Sequence, residues 1–194
     1  GVGCIVTLGG DGTNRVVAKG CGEVPILPIS TGTNNVFPKM TEGTLAGIAA
    51  GTVASRYLPV TESCKRSKKI NIYVNGKFTD ISLVDVAVTT QMFLGARAVW
   101  EPKVIDSVFL TRAEPLSIGL SSIGAKLKTI YIDDPEGLAI NFTGKPKVII
   151  SAPVAPGIVE KLNISSWYQM KPNDFHSINI QNGTVALDGE REVE

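Results

Sequence analysis

Asp11 stands between Gly10 and Gly12 in the stretch LGGDGTNR, residues 8–15, directly after an apolar run. Glycines at such a place let backbone N–H groups approach an anion with no Cβ in the way. A helix beginning near Thr13 would aim its own N–H groups and the positive end of its dipole at the same point. The arrangement fits a phosphate. A carboxylate repels a phosphate, so Asp11 has a reason to be there if it takes part in chemistry, by holding Mg²⁺ or by accepting a proton from an attacking hydroxyl. Read alone, the stretch is equally an Asp-Gly turn. It matches neither the G-x-x-x-x-G-K-[ST] loop nor G-x-G-x-x-G.

A second turn changes that balance. STGTNN, residues 30–35, offers glycine, hydroxyls and two amides, and it too follows an apolar run. Residues 2–8 and 24–30 read as short buried strands of a parallel sheet. Residues 13–19 and 41–55 read as helices, the second with Leu45, Ile48 and Val53 at helical spacing and Thr41 or Thr44 as N-cap. Gly47 and Gly51 on that helix suggest close packing. Strand, turn, helix, repeated once, predicts an α/β unit with both polar turns at one sheet edge.

From about Tyr57 the texture becomes β-rich. Asn75-Gly76 and Asn182-Gly183 are type I′ hairpin signals between alternating segments. KTIYID, LAINFTG and PKVIISAPV read as further strands, with one helix around residues 117–127. The fold class expected is therefore a partial N-terminal parallel α/β domain, residues 1–56, followed by an antiparallel β-rich two-layer domain, residues 57–194. The last segment is a candidate to return to the first domain.

Bulk properties narrow the function classes. Nineteen basic and 18 acidic residues leave a net charge of +1. The one basic run, CKRSKK at residues 64–69, reads as a solvated loop more readily than as a phosphate or membrane contact, and nucleic acid is not an expected partner. Three widely spaced cysteines and a single histidine, His176, argue against a disulfide framework or a multi-histidine metal centre, and no metal site is assigned. They fit a reducing, cytoplasmic setting. No apolar run reaches the length of a membrane span. The chain opens on a strand already under way, so a longer natural protein is expected.

The motifs LGGDGTNR, PISTGTNNVFP, GLSSIGAK, APVAPG and ALDGEREVE together resemble the NAD kinase and diacylglycerol kinase superfamily, most closely its AcoX type, which takes its name from acetoin catabolism. The resemblance covers nearly the whole chain. It implies an α/β domain followed by a β-rich one, and transfer of the ATP γ-phosphoryl to a hydroxyl, with Mg²⁺, in a small-molecule kinase. NAD is the default acceptor. It implies that Gly9, Gly10, Gly12 and Thr13 bind phosphate around Asp11, and that Thr31, Gly32, Thr33 and Asn34 contact nucleotide. Asp11 and Glu190 would be catalytic. Asp85, Ser121, Ser122 and Asp188 would line the acceptor site. The chain departs from NAD kinases in two places: Val84-Asp85 stands where they carry an NE pair, and LSSIGAK where they carry PTGSTAY. Lys39 and Arg97 are candidates to add positive charge. The alternatives are a kinase for a lipid or another metabolite, and a catalytically inactive nucleotide-binding regulator. A homo-oligomer is a candidate assembly.

Overall fold

The structure, a computed structural model, describes residues 1–90, 104–179, 183–189 and 191–193, the last three as backbone alone. The chain forms two compact units, Gly1–Ser67 and Lys68–Glu194. The fold is mixed α/β, mostly strands in several sheets, with a small parallel α/β part at the N-terminus.

In the first unit, β1 (Ile5–Leu8) and β2 (Ile26–Ile29) pair in parallel, with Ile5 opposite Ile26 and Leu8 opposite Ile29. Helix α1 (Asp11–Gly20) connects them. It begins two residues earlier than expected, because Gly10 takes an extended N-cap conformation, and Asp11, Gly12 and Thr13 form the first turn. Helix α2 (Gly43–Ala54) is capped by Glu42 and not by Thr41 or Thr44. The Glu42 carboxylate accepts from Thr44 N–H at 2.9 Å and Leu45 N–H at 3.0 Å, and these bonds hold it below its usual pKa. Ala46 and Val53 face inward, whereas Leu45 and Ile48 are exposed. A Cβ on Gly47 or Gly51 would meet nothing within 4 Å, so these glycines do not serve close packing among the described residues. The close approach lies elsewhere: a Cβ on Gly3 would sit 2.7 Å from the Ala54 backbone. A short helix, α3 (Val60–Ser63), ends the unit.

The second unit is built on one antiparallel sheet of six strands. Their ranges are β5 (Asp85–Thr89), β6 (Ile105–Leu110), β7 (Gly137–Asn141), β10 (Ser166–Met170), β11 (Thr184–Leu187) and β12 (Arg191–Val193). They lie in the order β10-β7-β6-β5-β11-β12. Alternation along each strand sends side chains to opposite faces. Ala87, Val108, Leu110, Leu138, Ile140 and Ala186 pack on one face with helix α4 (Leu120–Ala125) and the hairpin of β8 (Val148–Ala155) and β9 (Ile158–Ile164). Val86, Val88, Phe109, Ala139 and Leu187 form the other face, with Ile70 and Ile72 from the hairpin of β3 (Ile70–Val74) and β4 (Lys77–Ser82) packed against it. Both Asn75 and Gly76 have positive φ, as the type I′ signal requires. The KTIYID segment forms only an isolated bridge, Ile130 to Ala113, because its neighbours 131–136 turn. Asn182 lies outside the described residues.

Candidate functional site

Both polar turns leave the carboxyl ends of adjacent parallel strands. The Gly9 N–H donates to the Ile29 carbonyl at 3.1 Å, which carries the pairing one step beyond β1. Ser30 N–H donates to Lys39 O at 3.0 Å and closes the base of the second turn. Thr31, Gly32, Thr33 and Asn34 are exposed at its tip, and Asn34 has a φ of 66°. Asparagine is among the residues that tolerate this region.

Asp11 ties the two turns together. Its carboxylate, buried at the start of α1, accepts from Val36 N–H at 3.1 Å through both oxygens and from Phe37 N–H at 2.7 Å through Oδ1. A carboxylate set between glycines can therefore grip the neighbouring loop by its backbone. The glycines make room for this. A Cβ on Gly10 would lie 2.7 Å from Asn35 Oδ1, and one on Gly9 would lie 2.6 Å from Thr13 Oγ1. Asn35 is held in turn by its Nδ2–H bond to Ser30 Oγ at 2.8 Å, and Ser30 Oγ–H reaches Gly32 O at 3.0 Å.

Asn14 lies beneath this surface. It is fully buried, its Nδ2–H donates to Gly10 O at 2.8 Å, and its Oδ1 accepts from Thr7 Oγ1–H at 2.6 Å. Asn14 and Asn35 were not singled out from the sequence. The available signal for Asn14 was its position: a weak helix former one turn inside an α/β helix, on the side that must face the strands.

The first-turn N–H groups of a helix have no intrahelical acceptor, and at α1 they emerge beside Gly10 and Gly12, which carry no Cβ. Among the described residues no group of three or more His, Cys, Asp or Glu could hold a metal ion.

The residues expected to contact an acceptor lie in the second unit, where the side chains of Asp188, Ser121 and Ser122 and the backbone of Asp85 are hydrogen-bonded. Asp188, with φ 51° in the turn after β11, is buried and accepts from four donors. These are Ser82 Oγ–H at 2.7 Å, Val84 N–H at 2.8 Å, Leu83 N–H at 3.1 Å and Asp85 N–H at 3.3 Å. Asp85 opens β5, and its carbonyl accepts from Asp188 N–H at 3.0 Å and from Ser82 Oγ–H at 2.7 Å. Ser121 Oγ, buried on α4, accepts from Glu114 N–H at 3.1 Å and donates to Arg112 O at 3.3 Å. Ser122 Oγ–H donates to Gly119 O at 2.7 Å and Pro153 O at 2.9 Å. Gly124 serves packing: a Cβ there would lie 2.4 Å from Leu110 Cδ1. Glu190 and Arg97 lie outside the described residues. Arg112, fully buried, and Lys68, which bridges Tyr131 O and Glu136 O at 3.1 and 2.8 Å, were also not anticipated.

The chain is thus a small α/β unit with two glycine-containing turns on parallel strands, followed by a β-rich unit. Residues 1–57 match the family model of the ATP-NAD kinase N-terminal domain. Residues 68–194 match that of the acetoin catabolism protein X C-terminal domain. A curated relative, Acetoin catabolism protein X of Cupriavidus necator, is 39% identical over 199 residues, covering 100% of this chain and 55% of that protein. The chain belongs to the acetoin catabolism protein X family and spans about half the length of this relative.

Proposed function

We propose that the chain is the nucleotide-handling part of a small-molecule kinase that transfers phosphate from ATP to a hydroxyl acceptor, with NAD⁺ the default acceptor and NADP the product. The observation that carries this reading is the junction of the two turns through Asp11, which leaves the glycine-flanked N-terminus of α1 beside the hydroxyl- and amide-rich tip of residues 31–34. The match of residues 1–57 to an ATP-NAD kinase domain supports it.

In this mechanism Gly10, Gly12 and Thr13 present main-chain N–H groups to the ATP phosphates, and Gly9, whose N–H is held by Ile29 O, contributes the absence of a side chain at the turn. Thr31, Gly32, Thr33 and Asn34 contact the rest of the nucleotide. Asp11, fixed by Val36 and Phe37, orients the acceptor hydroxyl and takes its proton. Mg²⁺, when bound with ATP, would neutralise phosphate charge, and Asp11 is the carboxylate that would hold it. Asp85, Asp188, Ser121 and Ser122 are assigned to the acceptor side, and Glu190 to catalysis along with Asp11. The protein is placed in the cytoplasm, in NADP biosynthesis or acetoin-type catabolism, and no helix among the described residues is long and apolar enough to cross a membrane.

A second reading is favoured by one observation: the hydroxyls of Ser121 and Ser122 and the carboxylate of Asp188 are bonded to the protein's own backbone. An acceptor other than NAD, such as a lipid or another metabolite, or a regulator that binds nucleotide without transfer, needs none of them.

The test is to incubate the full-length natural protein with Mg-ATP and NAD and look for NADP by mass, with Asp11→Asn alongside. NADP from the wild type alone supports the kinase and the role of Asp11. Equal NADP from both removes Asp11 from the chemistry. No NADP, with ATP still bound, transfers the assignment to another acceptor or to the regulator.

A further inference from the structure

The geometry points to Asn14 as the positioning residue of the glycine turn: its side-chain amide, oriented by Thr7, holds the Gly10 carbonyl and so keeps the first-turn N–H groups of α1 aimed at a phosphate. The identity of the ligand rests on the kinase reading above; the positioning rests on geometry alone.

A fully buried asparagine inside a helix needs a reason. Asparagine is a weak helix former, and a buried amide costs free energy unless both ends are bonded. Both ends of Asn14 are. Thr7 Oγ1–H donates to Oδ1 at 2.6 Å, which leaves Nδ2 to donate to Gly10 O at 2.8 Å. The backbone N–H of Asn14 donates to the same carbonyl at 3.2 Å. One residue therefore supplies both hydrogen bonds that Gly10 O accepts.

Gly10 is the N-cap of α1, with φ −95° and ψ −166°. The peptide plane that carries its carbonyl also carries the Asp11 N–H, and it sets the orientation from which the first turn starts. Glycine is the least constrained residue, so the N-cap needs an external hold if the first-turn N–H groups are to stay aligned. Thr7 belongs to β1 and is itself buried, so the hold is anchored in the sheet. The path runs from β1 through Thr7 and Asn14 to Gly10. Asn35, beside Gly10, and Asp11, bonded to Val36 and Phe37, extend it to the second turn.

The decisive variant is Asn14→Asp, which keeps the shape and changes one proton. As a carboxylate it places an oxygen against Gly10 O, and the two repel. As a carboxylic acid its O–H donates to Gly10 O and restores the bond. Burial favours the neutral acid, so protonation comes within reach of the folded protein. Asn14→Leu fills the space with no bond at any pH, and Thr7→Val is a milder change that frees the amide from its orienting partner.

Using the full-length protein, we would measure MgATP affinity by calorimetry from mildly acid to mildly alkaline pH, each variant against wild type at the same pH. Hydrogen–deuterium exchange of peptides covering residues 5–20 would run in parallel without ligand. The expected result is about tenfold weaker binding by Asn14→Asp at the alkaline end, the loss of roughly one hydrogen bond, with recovery toward wild type at the acid end. Asn14→Leu should stay weak throughout, and exchange should follow the same pattern. Affinity of the folded fraction equal to wild type in all variants, even with a lower melting temperature, overturns the proposal. So does a deficit in Asn14→Asp that does not change with pH. If wild type binds no MgATP, the kinase reading fails, and the exchange data still decide: faster exchange in Asn14→Asp that slows to wild type on acidification supports Asn14, and unchanged exchange overturns it.

Discussion

Two Asp-Gly pairs in this chain share one device. Asp11 and Asp188 each point a buried carboxylate at the backbone N–H groups of a loop distant in sequence, Val36–Phe37 in one case and residues 83–85 in the other. The device has a consequence for mutagenesis. In Asp188→Asn one oxygen becomes an N–H₂ group facing backbone donors, and unfolding should become easier by about 1–3 kcal/mol, measured by chemical denaturation. Asp11→Asn carries the same penalty through Val36, so loss of turnover must be read against its unfolding midpoint. Gly10→Ala would place a Cβ on Asn35 Oδ1. The amide must then leave Ser30, and MgATP affinity should fall at least as far as stability does; a variant with unchanged affinity would show that the contact of the two turns does not matter for binding.

Elements are positioned by small residues and by a half-buried cation. Helix α4 lies tight on the sheet because Gly124 meets Leu110, Ala113 and Leu138 with no side chain of its own. Gly124→Ala should therefore overpack the core and cost about 1–3 kcal/mol in denaturation. Lys68, at the start of the second unit, ties down the turn of residues 131–136. Burial, and then the neighbouring Arg112 charge, lowers its pKa below the usual lysine value. The unfolded chain thus binds more protons than the folded one between that lowered value and the unfolded value of about 10.4. Stability contributed by this group rises with pH across that window. The difference in unfolding free energy between wild type and Lys68→Met should shift in favour of wild type as pH rises through it; no shift would mean that burial of the ammonium carries no cost.

Across the chain as a unit, the two compact parts meet in sequence at residues 67–68, inside the irregular run 64–69. Its exposed Arg66–Glu23 ion pair, 2.7 Å long, is a surface contact of the kind that adds little. Limited trypsin treatment should cut first at Lys65, Arg66, Lys68 or Lys69 and release fragments corresponding to the two units, identified by mass. First cuts at Arg112, Lys126 or Lys128 would contradict this division. The separate matches of residues 1–57 and 68–194 to two family models follow the same division.

Much of this was legible beforehand because it is local. Apolar runs ending in glycine-rich turns marked β1 and β2, the Asn75-Gly76 pair marked its hairpin, and β-rich texture marked β5, β7 and β11 of the large sheet, but not β6, β10 or β12. Each depends on a few neighbouring residues and a short-range steric rule. The helix start at Asp11 and the Glu42 cap were missed by a residue or two, since several polar residues there compete for the same N–H groups. What lay beyond reading was the partner of each buried polar group. Val36 and Phe37 are 25 and 26 residues from Asp11, and Ser82 is 106 from Asp188. Sequence shows which groups must be satisfied if buried, but a hydrogen bond is made by whichever donor the folded backbone brings within about 3 Å. That is why GGDGT could be singled out as a candidate site from its spelling, while the grip of Asp11 on the second turn, and of Asn14 on Gly10, emerged only from the packing of strand against helix.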